Sequence, residues 1–297
     1  MPYDEQAKQM MVRLAEKLPP GLGERLADEA ARLGPEALRL LLRFPEPLVH
    51  AGFRRWVRTV ALRMPREQAV GVLIDALAHP DWRIHEIARD GLLEIGPEAR
   101  EALVKSLAEC PSAGGRRQAL WCLHRLAETL SPPGEGDASL IQHIERAARA
   151  DPSEEVRSAA VVALSRCEGP DPAGAILAGL ADPSERVRLE AAKAAGRCRL
   201  KGAVPRLVEM LAHDDAEVRG DVIYALDRTG DARAAPAVRA RLADSDWYVR
   251  WAAVKALEGL WEPSNVAALR NALEDPHPLV AAAAAETLAA RAAEPVL

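Results

Sequence analysis

"DPSEEVRSAAVVALSR", residues 151–166, returns almost letter for letter as "DPSERVRLEAAKAAGR" at residues 182–197. The step is 31 residues, and it persists along the chain. Val156, Val187, Val218, Val249 and Val280 share it, as do Arg157, Arg188, Arg219 and Arg250. Leu180, Leu211, Leu242 and Leu273 keep it too. Self-similarity at a fixed period of this length marks a solenoid of helical hairpins, each burying its apolar face against its neighbours.

Two degenerate copies lie upstream. "HPDWRIHEIARDGLLEIG", from residue 79, sets Ile84 and His85 at the Val-Arg positions, and "CPSAGGRRQALWCLHRL", from residue 110, sets Arg116 there. Extra residues separate Arg116 from Arg157 and fall in "LSPPGEGDAS", residues 130–139, where Pro-Pro-Gly stops a helix. Residues 67–297 therefore read as an array of about seven repeats with a loop insertion near 130–139. Residues 1–66 stand outside the register and read as an N-terminal helical cap, with helices expected near 4–18, 22–33, 35–43 and 47–64. The stretch "FPEPLVHAGFRRWV" within them reads as a worn-down copy.

Each repeat reads as two helices. Pro205 and Pro236 suit the first turn of the first helix, where a missing N–H costs nothing. The second helix is expected to start at the recurring Asp, with Asp151, Asp182, Asp244 and Asp275 capping it at roughly 1 kcal/mol each. Val156, Ala160 and Leu164, and again Val249, Ala253 and Leu257, form one apolar stripe. The recurring Arg sits beside that stripe and needs a carboxylate. In the last copy Ala281 replaces it, where no further repeat follows, so the expected partner is the Asp one repeat on: Arg157 with Asp182, Arg250 with Asp275.

The motif D-P-x-x-x-V-R-x-x-A-x-x-A-L resembles the short HEAT-like repeats first named in phycobilisome lyases. The resemblance covers roughly residues 67–290. It implies a right-handed all-α superhelix whose second helices line a concave inner surface. It also implies which positions face that groove: two and one before the Val, and one, two and five after the Arg. Six of the Trp and Tyr residues fall there: Trp82, Trp121, Tyr224, Trp247, Tyr248 and Trp251. Exposed rings of this kind favour protein binding, because they bury large area at small entropic cost. The same positions hold the acids Glu86, Asp90, Glu154, Glu155, Glu185, Glu190, Glu217, Asp221 and Glu286. They outnumber the bases Arg83, Arg117, Arg186, Lys193 and Lys255. The expectation is a partner-binding groove with an acidic centre, formed by the six rings with Glu154, Glu155, Glu185, Glu190, Glu217 and Asp221. It would suit a basic or amphipathic polypeptide.

Composition narrows the alternatives. The chain of 297 residues is 49% hydrophobic and 28% charged, with a net charge of −5. That supports a core and weighs against a life on phosphate backbones. Arginine far outnumbers lysine, as in GC-rich bacterial genomes. The N-terminus has no apolar signal core, so a cytoplasmic protein is expected. Cys110, Cys122, Cys167 and Cys198 form no C-x-x-C pair, so no zinc site is expected. The histidines offer no i,i+4 ligand pair; His79 and His213 occupy the capping Asp position and read as caps. No metal, cofactor or catalytic group is expected, and the reading is of a non-enzymatic interaction scaffold. Two alternatives follow from resemblance. One is a DNA-binding or repair protein like the alkylpurine glycosylases, for which "FRRWVRTVALRMPR" supplies the only basic run, Arg54, Arg55, Arg58, Arg63 and Arg66. The other is a bilin lyase-like protein. The alanine-rich last copy, "VAAAAAETLAARAA", adds the expectation of a homodimer through the C-terminal repeat.

Overall fold

The computed structural model describes residues 22–43, 51–130, 138–166 and 172–292. Every regular element in them is helical, so the chain is an all-α solenoid. The described residues form two compact units whose division runs through the helices around residues 148–166. The first unit holds residues up to 147 together with 151–159; the second holds 148–150, 160–166 and everything from 172 on.

In the first unit the order is α1 (Leu22–Arg32), α2 (Pro35–Arg43), α3 (Ala51–Arg63), α4 (Arg66–Ala76), α5 (Trp82–Ile95), α6 (Arg100–Glu109) and α7 (Ala113–Leu130). Helix α1 packs on α3, α3 on α5 and α5 on α7, making one layer. Helices α2, α4 and α6 stack as the other. Then come α8 (Ala138–Ala150) and α9 (Glu154–Leu164). The expected helices near 22–33, 35–43 and 47–64 thus appear as α1, α2 and α3. The one expected near 4–18, Cys167, and most of the insertion lie outside the described residues.

Helix α3 belongs to the same layer as the recognised repeats. Phe53 and Arg54 stand one period before Ile84 and His85, and Phe53 is buried as Ile84 is. This is the worn-down copy read in "FPEPLVHAGFRRWV", placed in the 31-residue register. It is hidden because Phe replaces Val and Leu48 replaces the Asp.

The second unit repeats the plan with α10 (Ala173–Gly179), α11 (Glu185–Arg197), α12 (Val204–Met210), α13 (Ala216–Thr229), α14 (Ala235–Ala240), α15 (Trp247–Gly259), α16 (Asn265–Ala272) and α17 (Pro278–Ala292). Helices α11, α13, α15 and α17 form a continuous layer, each backed by the helix before it. Pro205 and Pro236 lie in the first turns of α12 and α14, as their missing N–H requires. Gly230 ends α13 at φ 63°, a left-handed conformation that glycine adopts at no steric cost. The stripe residues Val156, Ala160, Leu164, Val249, Ala253 and Leu257 are all fully buried. At the end of the array Leu273 and Leu279 are exposed.

The recurring aspartates do not cap the helices as expected. Each second helix starts three residues later, at Glu154, Glu185, Trp247 or Pro278. The carboxylate instead closes the loop ahead of the helix by accepting from the amide two residues on: Asp151 from Ser153 at 2.9 Å, Asp182 from Ser184 at 2.8 Å, Asp244 from Asp246 at 3.0 Å, Asp275 from His277 at 2.8 Å. This is the Asx turn that short acidic side chains favour. His79 and His213 do the same through Nδ1, accepting from the Asp81 and Asp215 amides at 3.0 Å. The true N-caps are Asp81, Asp215 and Asp246, which accept from Arg83, Glu217 and Tyr248.

The recurring arginine then fastens this loop in two directions. Backwards, Nη1 donates to two carbonyls of its own loop, at 2.8 and 2.9 Å for Arg219 and at 3.0 and 3.2 Å for Arg250. Arg116, Arg157 and Arg188 repeat that contact. Forwards, Nε and Nη2 grip the next repeat's aspartate with two parallel bonds. Arg219 holds Asp244 at 2.9 and 2.7 Å, Arg250 holds Asp275 at 2.7 and 3.0 Å, and Arg116 holds Asp151 at 2.7 and 2.8 Å. The expected pairing of Arg250 with Asp275 is thus present. Bidentate geometry of this kind is the strong form of an ion pair.

Removing one partner of a buried pair strands the other charge, at a cost of about 3–5 kcal/mol. The Asp244 side chain is only 5% exposed. Asp244→Ala is therefore expected to lower the unfolding free energy by about 3 kcal/mol, read from urea titration. A loss within the range of a surface pair, under about 1 kcal/mol, would show that the clasp holds nothing together.

The same contacts set a pH dependence. The Arg250 guanidinium holds the Asp275 carboxyl below its ordinary 3.8, burial opposing it. At Asp244 burial pushes upward, yet the bonds from Arg219 and the Asp246 amide outweigh it and the net direction is down. A carboxyl lowered by folding stabilises above its unfolded value, and that stability drains away as pH falls through the folded value. Thermal stability is expected to hold from neutrality to about pH 4 and to decline below it, with a shallower decline in Asp275→Asn.

Candidate functional site

The six aromatic residues singled out by position divide between the two units. Tyr224, Trp247, Tyr248 and Trp251 lie in the second, on α13 and α15; Trp82 and Trp121 lie in the first, on α5 and α7.

In the second unit the rings meet. Asp246 fixes the first turn of α15 by accepting from the Tyr248 amide at 2.8 Å, which sets Trp247 and Tyr248 side by side. Their rings meet edge to face at 6.2 Å. Tyr248 stacks with Trp251, one turn on, at 6.1 Å and 21°. Trp247 stacks flat against His277 of the next hairpin, 4.0 Å between centroids. The Tyr248 ring lies across Gly220 of α13, where a Cβ would collide with Cε1. Glycine at 220 is thus the notch that seats the ring. Tyr224 rises from the same helix and is 64% exposed.

Carboxylates surround these rings. Burial first, then the charges of Asp221 and Glu217, push the Tyr248 phenol above its ordinary 10.0. Asp221 is held by Lys193 of α11 at 3.0 Å, and the contact raises that ammonium. Glu190 stands close enough to add to the shift. Glu185 lies 3.5 Å from His213 Nε2. Lys255 is 3.8 Å from Glu286. Glu217 is exposed, and among the described residues its carboxylate has no cation.

In the first unit the two rings are apart. Trp82, 63% exposed, has Arg54 over it at 6.0 Å, and Trp121 has Arg89 over it at 4.6 Å. Glu154 opens α9, and Glu155 accepts from Ser153 Oγ at 2.8 Å. The basic run on α3 and at the start of α4 is largely spent on neighbouring helices. Arg54 reaches Glu86 at 3.2 Å, and Arg58 reaches Asp90 and Glu94 at 3.2 and 3.3 Å. Arg63 pairs with Asp28 at 2.9 Å and with Glu24, and Arg66 with Glu98 at 3.5 Å. The opposite face, Phe53, Val57, Val60 and Met64, is buried.

Position along the repeat located the rings but missed what organises them. Gly220 holds the groove position one after Arg219, where a missing side chain gives no sign of a role, and Lys193 is one of the five groove bases. Burial pushes the Cys122 thiol up to about 12, and Cys198 donates to Ser165 O at 3.8 Å. Among the described residues no group of His, Cys, Asp and Glu is placed to hold a metal ion. No described helix is long and apolar enough to cross a membrane.

The raised phenol gives a direct check. In a spectroscopic titration of tyrosinate, Tyr248 should ionise at higher pH than its ordinary value, and Glu217→Gln should bring it down. A phenol that titrates normally in the intact protein would separate the ring from those carboxylates.

Comparison with known proteins agrees with this architecture. A family model for HEAT repeats matches residues 173–258 and 236–297. The Escherichia coli protein YibA superposes with a TM-score of 0.59 at 20% identity, over 89% of this chain and 95% of that one. A chain from the complex of Kap95p with RanGDP gives a TM-score of 0.55 at 14% identity, over 94% of this chain and 44% of its own. Human deoxyhypusine hydroxylase aligns over 92% of this chain and 99% of that one at 21% identity, but its TM-score of 0.37 carries no argument. No curated protein matches by sequence. Residues 173–297 are thus similar to HEAT repeats, and the 31-residue period and stacked hairpins of the described residues follow the plan of a HEAT-like solenoid.

Proposed function

We propose that this protein is a non-catalytic scaffold that holds a partner polypeptide on the exposed face of the α11–α13–α15–α17 layer. The observation that carries the reading is the ring cluster of Trp247, Tyr248 and Trp251 beside exposed Tyr224. Rings that are already packed on one another present area with little rotamer freedom left to lose, which is what a binding hot spot requires. Kap95p, whose fold this chain shares, binds RanGDP, and HEAT-repeat stacks are protein-binding scaffolds in general.

The acids along this face favour a basic or amphipathic segment. The pairing of Arg54, Arg58, Arg63 and Arg66 favours polypeptide over nucleic acid, because a phosphate backbone needs cations that are free to replace its counterions. We take the phycobilisome-lyase likeness as a likeness of repeat, and infer no lyase reaction from it. Function in a soluble compartment fits the same reading.

Selection of displayed random peptides on the immobilised full-length protein tests it. Recovered peptides should lose about thirtyfold or more in affinity on Trp247→Ala/Trp251→Ala, the scale of a hot spot, while the helical circular dichroism stays unchanged. Failure to enrich any peptide, or enrichment indifferent to both substitutions, would remove this face as the docking site.

A further inference from the structure

Three tryptophans among the described residues are covered by an arginine of the chain itself: Trp82 by Arg54, Trp121 by Arg89, and Trp261 by Arg291 at 5.2 Å. Trp247 and Trp251 have no such cover among the described residues; their ring contacts are to His277 and Tyr248. For Trp247, which holds the repeat position of Trp82, the reason lies in the clasp. Arg219 holds the place on α13 that Arg54 holds on α3, but its guanidinium is locked onto Asp244. The stacked Tyr248–Trp251 platform also carries no arginine among the described residues, and it stands near a carboxylate without a cation. Asp221 is already answered by Lys193, whereas Glu217 is close enough to raise the Tyr248 phenol and is unanswered.

We propose that the partner polypeptide supplies the missing guanidinium: one of its arginines lies on the Tyr248–Trp251 pair with its charge toward Glu217. The inference rests on the docking reading above and names the side chain that is docked. A planar, weakly hydrated guanidinium stacks on aromatic faces, while the compact, strongly hydrated lysine ammonium gives up more on leaving water. Gly220 is the specificity device, because any side chain there would lift Tyr248 off the platform.

The experiment uses three labelled peptides of about a dozen residues, identical except for arginine, lysine or citrulline at the basic positions, titrated into the full-length protein by fluorescence anisotropy. The arginine peptide is expected to bind about tenfold tighter than the lysine peptide, and the neutral citrulline peptide to show no measurable affinity. Glu217→Gln, a change at an exposed side chain, should weaken the arginine peptide about tenfold, and Trp251→Ala at least as much. Equal affinity for arginine and lysine, arginine binding that ignores Glu217→Gln, or no binding of the arginine peptide would each overturn the inference. The docking reading is judged separately: displayed peptides that depend on Trp247 and Trp251 yet lack arginine would keep that reading and discard this one.

Discussion

A single guanidinium bound to two loops at once is what makes the stack regular. Hydrophobic contact alone would let neighbouring hairpins slide and rotate, since apolar attraction has no direction. The arginine adds direction. Its backward bonds close the loop of its own repeat, and its forward fork fixes the aspartate of the next. That aspartate in turn shapes the loop that launches the next helix. Loop closure, helix start and repeat spacing are therefore one coupled arrangement, and the alanines of the stripe can pack closely because the helices arrive in register.

The same arrangement shapes the candidate site. Asp246 can orient Trp247 and Tyr248 because Asp244, two residues earlier, is held by Arg219. The Tyr248 ring then reaches back to Gly220, one turn or less from Arg219 itself. The surface that faces a partner is thus built on residues adjacent to those that hold the repeats together. The clasp also occupies Arg219, whose counterpart Arg54 in the first unit lies over Trp82.

Much of this was legible in the sequence. The period, the buried stripe and the partner of the recurring arginine follow from counting, because a solenoid maps equal spacing in the chain onto equal spacing in space. The helix starts were misjudged for a physical reason. Aspartate serves equally in an Asx turn and at an N-cap, and two acids stand two residues apart before α15, so residue type alone does not say which does which. The worn-down copy at α3 is legible only faintly, because Phe53 fills the buried site that valine fills elsewhere. At the site, the list of exposed positions identified the rings. It could not say that four of them fall in one unit, or that His277 and Gly220 hold them, since those depend on how one hairpin leans on the next.

The two histidines that replace aspartate leave an asymmetry in the array. His213 closes its loop as an aspartate would, through Nδ1, but an imidazole offers no pair of oxygens for a two-pronged grip, and Arg188 donates to the carbonyls of Asp182 and Pro183 in its own loop. The joint between α11 and α13 is tied by other pairs, Lys193 with Asp221 at 3.0 Å and Glu185 with His213 at 3.5 Å, whereas the joints from α13 to α15 and from α15 to α17 carry the arginine–aspartate fork. The aromatic cluster therefore sits on hairpins joined by buried forks, while the hairpin before it is joined by part-exposed ion pairs that salt can screen.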